Sequence, residues 1–172
     1  MEKDEAVAQL RGWFTGRVPQ EWFDGQPEID LDREEISVIG TLPEPAAESE
    51  VERAAMAEGL VVRFREETRE RRMAIAAEAE RKFRRKVSWG VVCGGEKVMF
   101  TTLSVPVMTR LKQPERQVLD TLVAAGVARS RSDALAWCVR LVGRNTDTWL
   151  GELRDALQHV DRVRAAGPDL AS

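Results

Sequence analysis

A chain of 172 residues, 43% of them hydrophobic, can build one large or two small domains with a real core, while a formal net charge of −3 singles out no partner. No run of eighteen apolar residues occurs, and the opening MEKDEAVAQL is charged rather than basic and then apolar, so neither a membrane span nor an export signal is expected and the expected location is cytoplasmic. Cys93 and Cys138 lie in unlike contexts, one beside a Gly pair and one in a helix stripe, which predicts two reduced thiols with Cys138 buried.

Charge is segregated along the chain. Residues 1–47 carry four basic and eleven acidic side chains, a net of −7, whereas residues 61–131 carry sixteen basic and eight acidic, a net of +8. An acidic front joined to a basic middle suggests two faces for two partners or an internal electrostatic contact.

Glu5 to Thr15 has the pattern of a short helix with Ala6, Leu10, Trp13 and Phe14 on one side, ended by Gly16 and Pro19. Trp22 and Phe23 follow, and the aromatics are expected to pack a small N-terminal lobe, with a protein-binding patch in this acidic region as the sharper reading. Glu28 to Leu42 offers a strand at Ile36 to Leu42, after which Pro43 and Pro45 mark a linker. Ser49 and Glu52 form a capping box that opens a helix. Ala, Glu and Arg dominate the following stretch and no proline interrupts it, so a continuous or slightly bent helix to about Lys86 is expected, with a stop at Gly59 as the alternative. Its end places Arg81, Lys82, Arg84, Arg85 and Lys86 within six residues. Those cations would suit either nucleic-acid phosphates or solvent at the negative pole of the helix.

Val87 to Cys93 and Lys97 to Ser104 look like strands joined through Gly94-Gly95-Glu96 as a hairpin. This Gly-rich piece is not a phosphate loop, because no Lys-Ser/Thr follows and it leads into a strand. The next stretch, Val105 to Val142, is the most informative. Val105, Val107, Thr109 and Leu111 alternate with Pro106, Met108 and Arg110, as in a short strand with one buried and one open face; Pro106 keeps that strand from being central in a sheet. Pro114 can open a helix with Val118, Leu119, Leu122 and Val123 as its apolar stripe, stopped at Gly126. Ser130 or Ser132 can cap a second helix with Asp133 in its first turn and Leu135, Cys138, Val139 and Val142 on its apolar side.

A strand and two helices in about forty residues cannot bury their own apolar surface, but two copies can. The order resembles the ribbon-helix-helix family of DNA-binding proteins, which includes many bacterial repressors and antitoxins, most closely in LDTLVAAGVARSRSDAL (Leu119 to Leu135). The resemblance implies that two chains pair their strands as an antiparallel ribbon in the DNA major groove, with Met108 and Arg110 towards base edges and Ser130, Arg131 and Ser132 at a backbone phosphate. Lys112, standing where the family often ends its strand with Pro, is a further expected phosphate contact. Arg can bond guanine bidentately, and the free N–H groups of a helix N-terminus attract anions.

After this core, Trp149, Leu150, Leu153, Leu157 and Val160 predict an amphipathic helix started near Asn145 to Asp147 and stopped by Gly167-Pro168. His159 is the only histidine, and the dense carboxylate group Glu28, Asp30, Asp32, Glu34 and Glu35 lacks a Gly-containing calcium loop. Neither suggests catalysis; no enzyme, metal or cofactor is expected. The expected fold is α+β and mostly helical, divided into an acidic region 1–47, a basic helix 48–86, a hairpin 87–104, a ribbon-helix-helix-like core 105–145 and a C-terminal helix and tail 146–172. The expected function is transcriptional regulation by a homodimer, or a higher even oligomer, that binds double-stranded DNA without membrane contact. The alternatives are an antitoxin repressing its own operon and a dimeric scaffold without DNA binding.

Overall fold

In a computed structural model describing residues 2–166, the chain divides into two compact units that meet at Pro106 and Val107. Six α-helices and one four-stranded sheet lie among the described residues, so the α+β, mostly helical expectation holds.

The N-terminal unit runs α1 (Glu2–Arg17), a 3-10 turn (Gln20–Trp22), β1 (Glu28–Leu31), β2 (Glu35–Thr41), α2 (Glu50–Glu67), α3 (Arg69–Phe83), β3 (Lys86–Cys93) and β4 (Glu96–Met99). The strands stand in sequence order, with β1/β2 and β3/β4 antiparallel and β2/β3 parallel, Ile36 opposite Val87 and Val38 opposite Trp89. Parallel neighbours need a long crossover. The helical stretch α2–α3 is that crossover, which corrects the division into regions 1–47, 48–86 and 87–104: all three belong to one sheet and one core. The Trp-Phe pairs show the same thing. Instead of packing a separate lobe, Trp13 meets Phe83 edge-on, Phe14 meets Trp89, and Trp22 meets both Phe64 and Trp89. Outside this aromatic layer a bidentate pair, Arg17 Nε and Nη2 donating to Glu78 at 2.7 Å each, ties α1 to α3.

The Ser49 cap forms as expected, its Oγ accepting from the Glu52 N–H, while the Glu52 carboxylate reaches one residue past the cap to accept from the Glu48 N–H. The helix passes through Gly59 and is interrupted at the single residue Thr68, so the expected continuous or slightly bent helix is the succession of α2 and α3, ending at Phe83 rather than about Lys86. Thr68 Oγ1 donates to the Phe64 carbonyl, which also accepts the Thr68 N–H, and accepts from Arg72 Nε, while Arg72 Nη2 caps the Arg65 carbonyl, so side chains add to the backbone bonds at the break. α3 ends at Phe83 because Arg84 turns left-handed, φ 56°.

β1 was not expected, its four residues being masked by the surrounding acids. Asp32 Oδ1 accepts the N–H groups of Glu34 and Glu35, so part of the carboxylate group closes the β1–β2 turn. No metal-ligating cluster forms among the described residues. The hairpin β3–β4 turns at Gly94-Gly95, but β4 stops at Met99 rather than Ser104. Cys93 is buried and Cys138 half-buried, which corrects the expected burial of Cys138; burial also pushes the Cys93 thiol upward.

The second unit holds α4 (Gln113–Ala124), α5 (Arg131–Asn145) and α6 (Asp147–Ala166). Pro114 lies in the first turn of α4, and after that helix Gly126 takes φ 73°, as the expected stop requires. The core of the unit consists of Leu119, Ala128 and Ala134 with Leu111, Leu122, Val123, Leu135 and Cys138 half-buried around them. Backbone bonds from Thr146 N to Val142 O and from Leu150 N to Thr146 O carry α5 into α6. The expected stop at Gly167-Pro168 lies outside the described residues.

Candidate nucleic-acid interface

Residues 101–112 form no strand. They are exposed except for half-buried Leu111, with Val107 at 87% and Met108 at 96% exposure. The start of this segment is tethered: Thr101 Oγ1 accepts from the Trp89 N–H, and Glu35 Oε1 accepts from the Leu103 N–H while also bonding the Ser88 hydroxyl. Beyond Leu103, the stretch expected as a strand, Val105 to Leu111, has no ladder partner among the described residues. Leu111 packs on the α4–α5 core and shares the parity of Val107 and Thr109, the face read as buried. Arg110 and Met108 lie on the other parity, exposed.

The start of α5 is more fully engaged than expected. Ser130 is the cap, its Oγ accepting the Asp133 N–H at 3.2 Å and its carbonyl accepting the Ala134 N–H. The N–H groups of Arg131 and Ser132 keep no acceptor among the described residues, leaving two donors at the positive end of the helix. Two carboxylates already stand nearby. Asp133 accepts from the Arg129 N–H, which holds its carboxyl below the usual range. Asp120 on α4 takes Arg131 in a bidentate pair at 2.6 and 2.7 Å, which lowers the Asp120 carboxyl and raises the Arg131 guanidinium. Asp120 was missed because eleven residues separate it from Arg131, across the turn between two helices. Lys112 is the exposed N-cap of α4 and makes no side-chain cap bond.

The five cations at the end of α3 do not share one helical face, as the expected basic helix would require. Arg81 and Lys82 are exposed on α3, with Arg81 Nε turned back to the Ala77 carbonyl and Lys82 near the Phe83 ring. Arg84 and Arg85 form the following turn, and Lys86 opens β3, paired with Glu80 at 2.8 Å. Arg84, Arg85 and Lys86 instead join Arg33, which sequence spacing did not suggest, around a depression of about 390 Å³ that Leu103 and Val105 also line. Glu34 and Glu80 enter the same rim and offset part of its charge.

Residues 8–99 match the profile described as the Rv1265-like protein, N-terminal domain, and residues 112–164 match the Mb1296 C-terminal domain. The chain belongs to the Rv1265-like family. Its two matched segments fall one on each structural unit and leave residues 100–111, the extended segment, between them. Over 158 residues the chain is 64% identical to the uncharacterized protein Rv1265 of Mycobacterium tuberculosis and to the uncharacterized protein Mb1296 of Mycobacterium bovis, covering 92% of this chain and 70% of each relative. These relatives point to a bacterial family. No solved structure matches the chain. Among the described residues no helix is long and apolar enough to cross a membrane.

Proposed function

We propose that this protein is a dimeric DNA-binding regulator of transcription, in which Val105 to Leu111 of two copies pair as an antiparallel ribbon in the major groove. The observation that carries this reading is the extended segment itself: a period-two stretch without a ladder partner among the described residues, anchored at Leu111 to a small helix-pair core whose fully buried described residues are Leu119, Ala128 and Ala134. Unpaired backbone next to an undersized core is stabilised by a second copy, and in the proposed ribbon the parity of Leu111 would face the helices while Met108 and Arg110 would face base edges. The free N–H groups of Arg131 and Ser132, with Lys112 and the cations Arg81, Lys82, Arg84, Arg85 and Lys86, are the proposed phosphate contacts. No catalytic role is proposed.

The Arg131–Asp120 pair favours a second reading, a dimeric scaffold that does not meet DNA, because it occupies the cation the phosphate would use. Selection of bound fragments from random DNA decides between them. The regulator yields a palindromic or repeated site whose enrichment is lost with a Val107→Glu, Leu111→Glu variant, while the scaffold enriches nothing even at low salt.

A further inference from the structure

Within the N-terminal unit, α2 runs along the β3–β4 hairpin and leaves an open groove of about 570 Å³ beside it. One end is marked by Gly94, where an added Cβ would stand 3.3 Å from the Ala57 methyl, and the other by Phe100, whose ring stacks on Phe64 at 6.1 Å. Ala57 and Phe64 are two helical turns apart, which makes the groove about 10 Å long. Its walls between the ends are apolar, Ala54, Val61, Val62, Val98 and Cys93 among them, and its volume is that of a small-molecule site.

The two ends differ in charge. Glu58 and Glu96 line the groove towards Gly94, while Glu50 is paired with Arg53 at 2.7 Å. The Phe100 end holds two guanidiniums, those of Arg65 and Arg72, 5.8 and 4.7 Å from the ring centroid. Neither has a carboxylate within ion-pair distance among the described residues. Arg72 is buried and donates through Nε and Nη2, but its Nη1 has no acceptor among the described residues and is not sealed from solvent. Burial and the repulsion from Arg65 both act against the Arg72 charge, and an anion at this end relieves both.

We propose that this groove binds a medium-chain carboxylic acid in its ionised form, the carboxylate accepting from Arg65 and from Nη1 of Arg72 and the apolar chain lying along α2 towards Gly94. The acids fix the direction, because a carboxylate at the far end would meet Glu58 and Glu96. A small inorganic anion would leave the apolar walls wet, and an uncharged chain would leave both cations without a counter-charge. The site lies wholly within the N-terminal unit and does not rest on the DNA reading.

Thermal unfolding and calorimetric titration of the full chain with octanoate and decanoate, against octanol and acetate at equal ionic strength, test this. The two long carboxylates are expected to bind at one site and to raise the unfolding midpoint, because a ligand of the native state stabilises it. Octanol and acetate are expected to do neither. Absence of binding by both long carboxylates overturns the proposal; so does equal stabilisation by octanol, which gives the cations no part, or by acetate, which gives the groove none. Arg65→Gln should weaken octanoate binding by about tenfold, the scale of one lost charge-assisted hydrogen bond, while Arg65→Lys should keep most of it. Val62→Glu, which puts a carboxylate into the groove, should abolish binding. Both side chains are exposed, so these variants are expected to keep the parent's circular dichroism. Unchanged octanoate affinity in either folded variant overturns the proposal. If a short DNA duplex rather than octanoate gives the Arg65-dependent shift, the two cations belong to a nucleic-acid surface and the carboxylate site is likewise ruled out.

Discussion

Thr68 Oγ1 accepts a hydrogen bond from Arg72 Nε at 2.8 Å, at the point where the long crossover bends. Arg72 is 5% exposed, lies 4.7 Å from the Phe100 ring centroid, and has no carboxylate within ion-pair distance among the described residues. Burial and the neighbouring cations Arg65 and Arg69 lower its guanidinium from the usual arginine value. A buried cation without a counter-ion is better tolerated when its donors find acceptors, and here Thr68 Oγ1 accepts from Nε and the Arg65 carbonyl from Nη2. Thr68→Val keeps the shape and strands the Nε donor, so it should cost about 1–3 kcal/mol. In an Arg72→Met background the same change should cost far less. Urea denaturation of the four proteins, followed by tryptophan fluorescence, measures that coupling.

Deleting residues 1–47 should not unmask a basic surface. It removes α1, β1 and β2, leaving β3 without its parallel neighbour and Trp89 without Phe14 and Trp22. The truncated chain is expected to lose its near-ultraviolet circular dichroism and to aggregate, since the rest of the sheet keeps an unpaired apolar edge. A folded, soluble truncation with unchanged near-ultraviolet signal would contradict the shared core.

What could be read from the sequence was local, and what could not was distant in the chain. Ser49 with Glu52, the Gly94-Gly95 turn and the Ser130 cap each carry their signal within four residues, and each forms. The pairing of Ile36 with Val87 spans about fifty residues and leaves no periodic trace, so the acidic front looked like a lobe of its own. The interruption at Thr68 goes with Arg72 buried beside it, a tertiary fact hidden in an Ala-, Glu- and Arg-rich run. At the proposed interface the residue types along 105–132 were legible, but their partners were not: Asp120 holds Arg131 from another helix.

Four carboxyls, those of Asp32, Glu78, Asp120 and Asp133, lie below their usual range: Asp32 through backbone N–H groups of Glu34 and Glu35, Glu78 through Arg17, Asp120 through Arg131, and Asp133 through the Arg129 N–H. Their folded values are depressed, so their contribution to stability is present above the ordinary carboxylate pKa and is lost as pH falls through the folded values. Stability should therefore stay level from neutral pH down to the ordinary carboxylate range and decline only below it. Denaturant midpoints across that range check this. In Asp133→Asn the decline should be shallower, because one of the four groups no longer titrates.

The Arg131–Asp120 pair also makes a prediction about DNA. Both side chains are more than a third exposed, so solvent screens the pair and a phosphate can compete for the guanidinium. Asp120→Asn removes both the competitor and a negative charge beside the free N–H groups of α5. Affinity for any duplex should then rise, by up to about tenfold at low salt, and fall more steeply as salt is added, because one more cation is available to displace counter-ions. Sequence preference should not change, since a phosphate carries no base information. Arg110→Ala should do the reverse, weakening discrimination at one base pair by about 1–3 kcal/mol while leaving the salt dependence nearly as it was. Salt titrations of both variants on a selected site and on random duplex separate the two effects. If Asp120→Asn binds no better than the parent protein while Arg131→Ala also changes nothing, the start of α5 holds no phosphate and the scaffold reading gains.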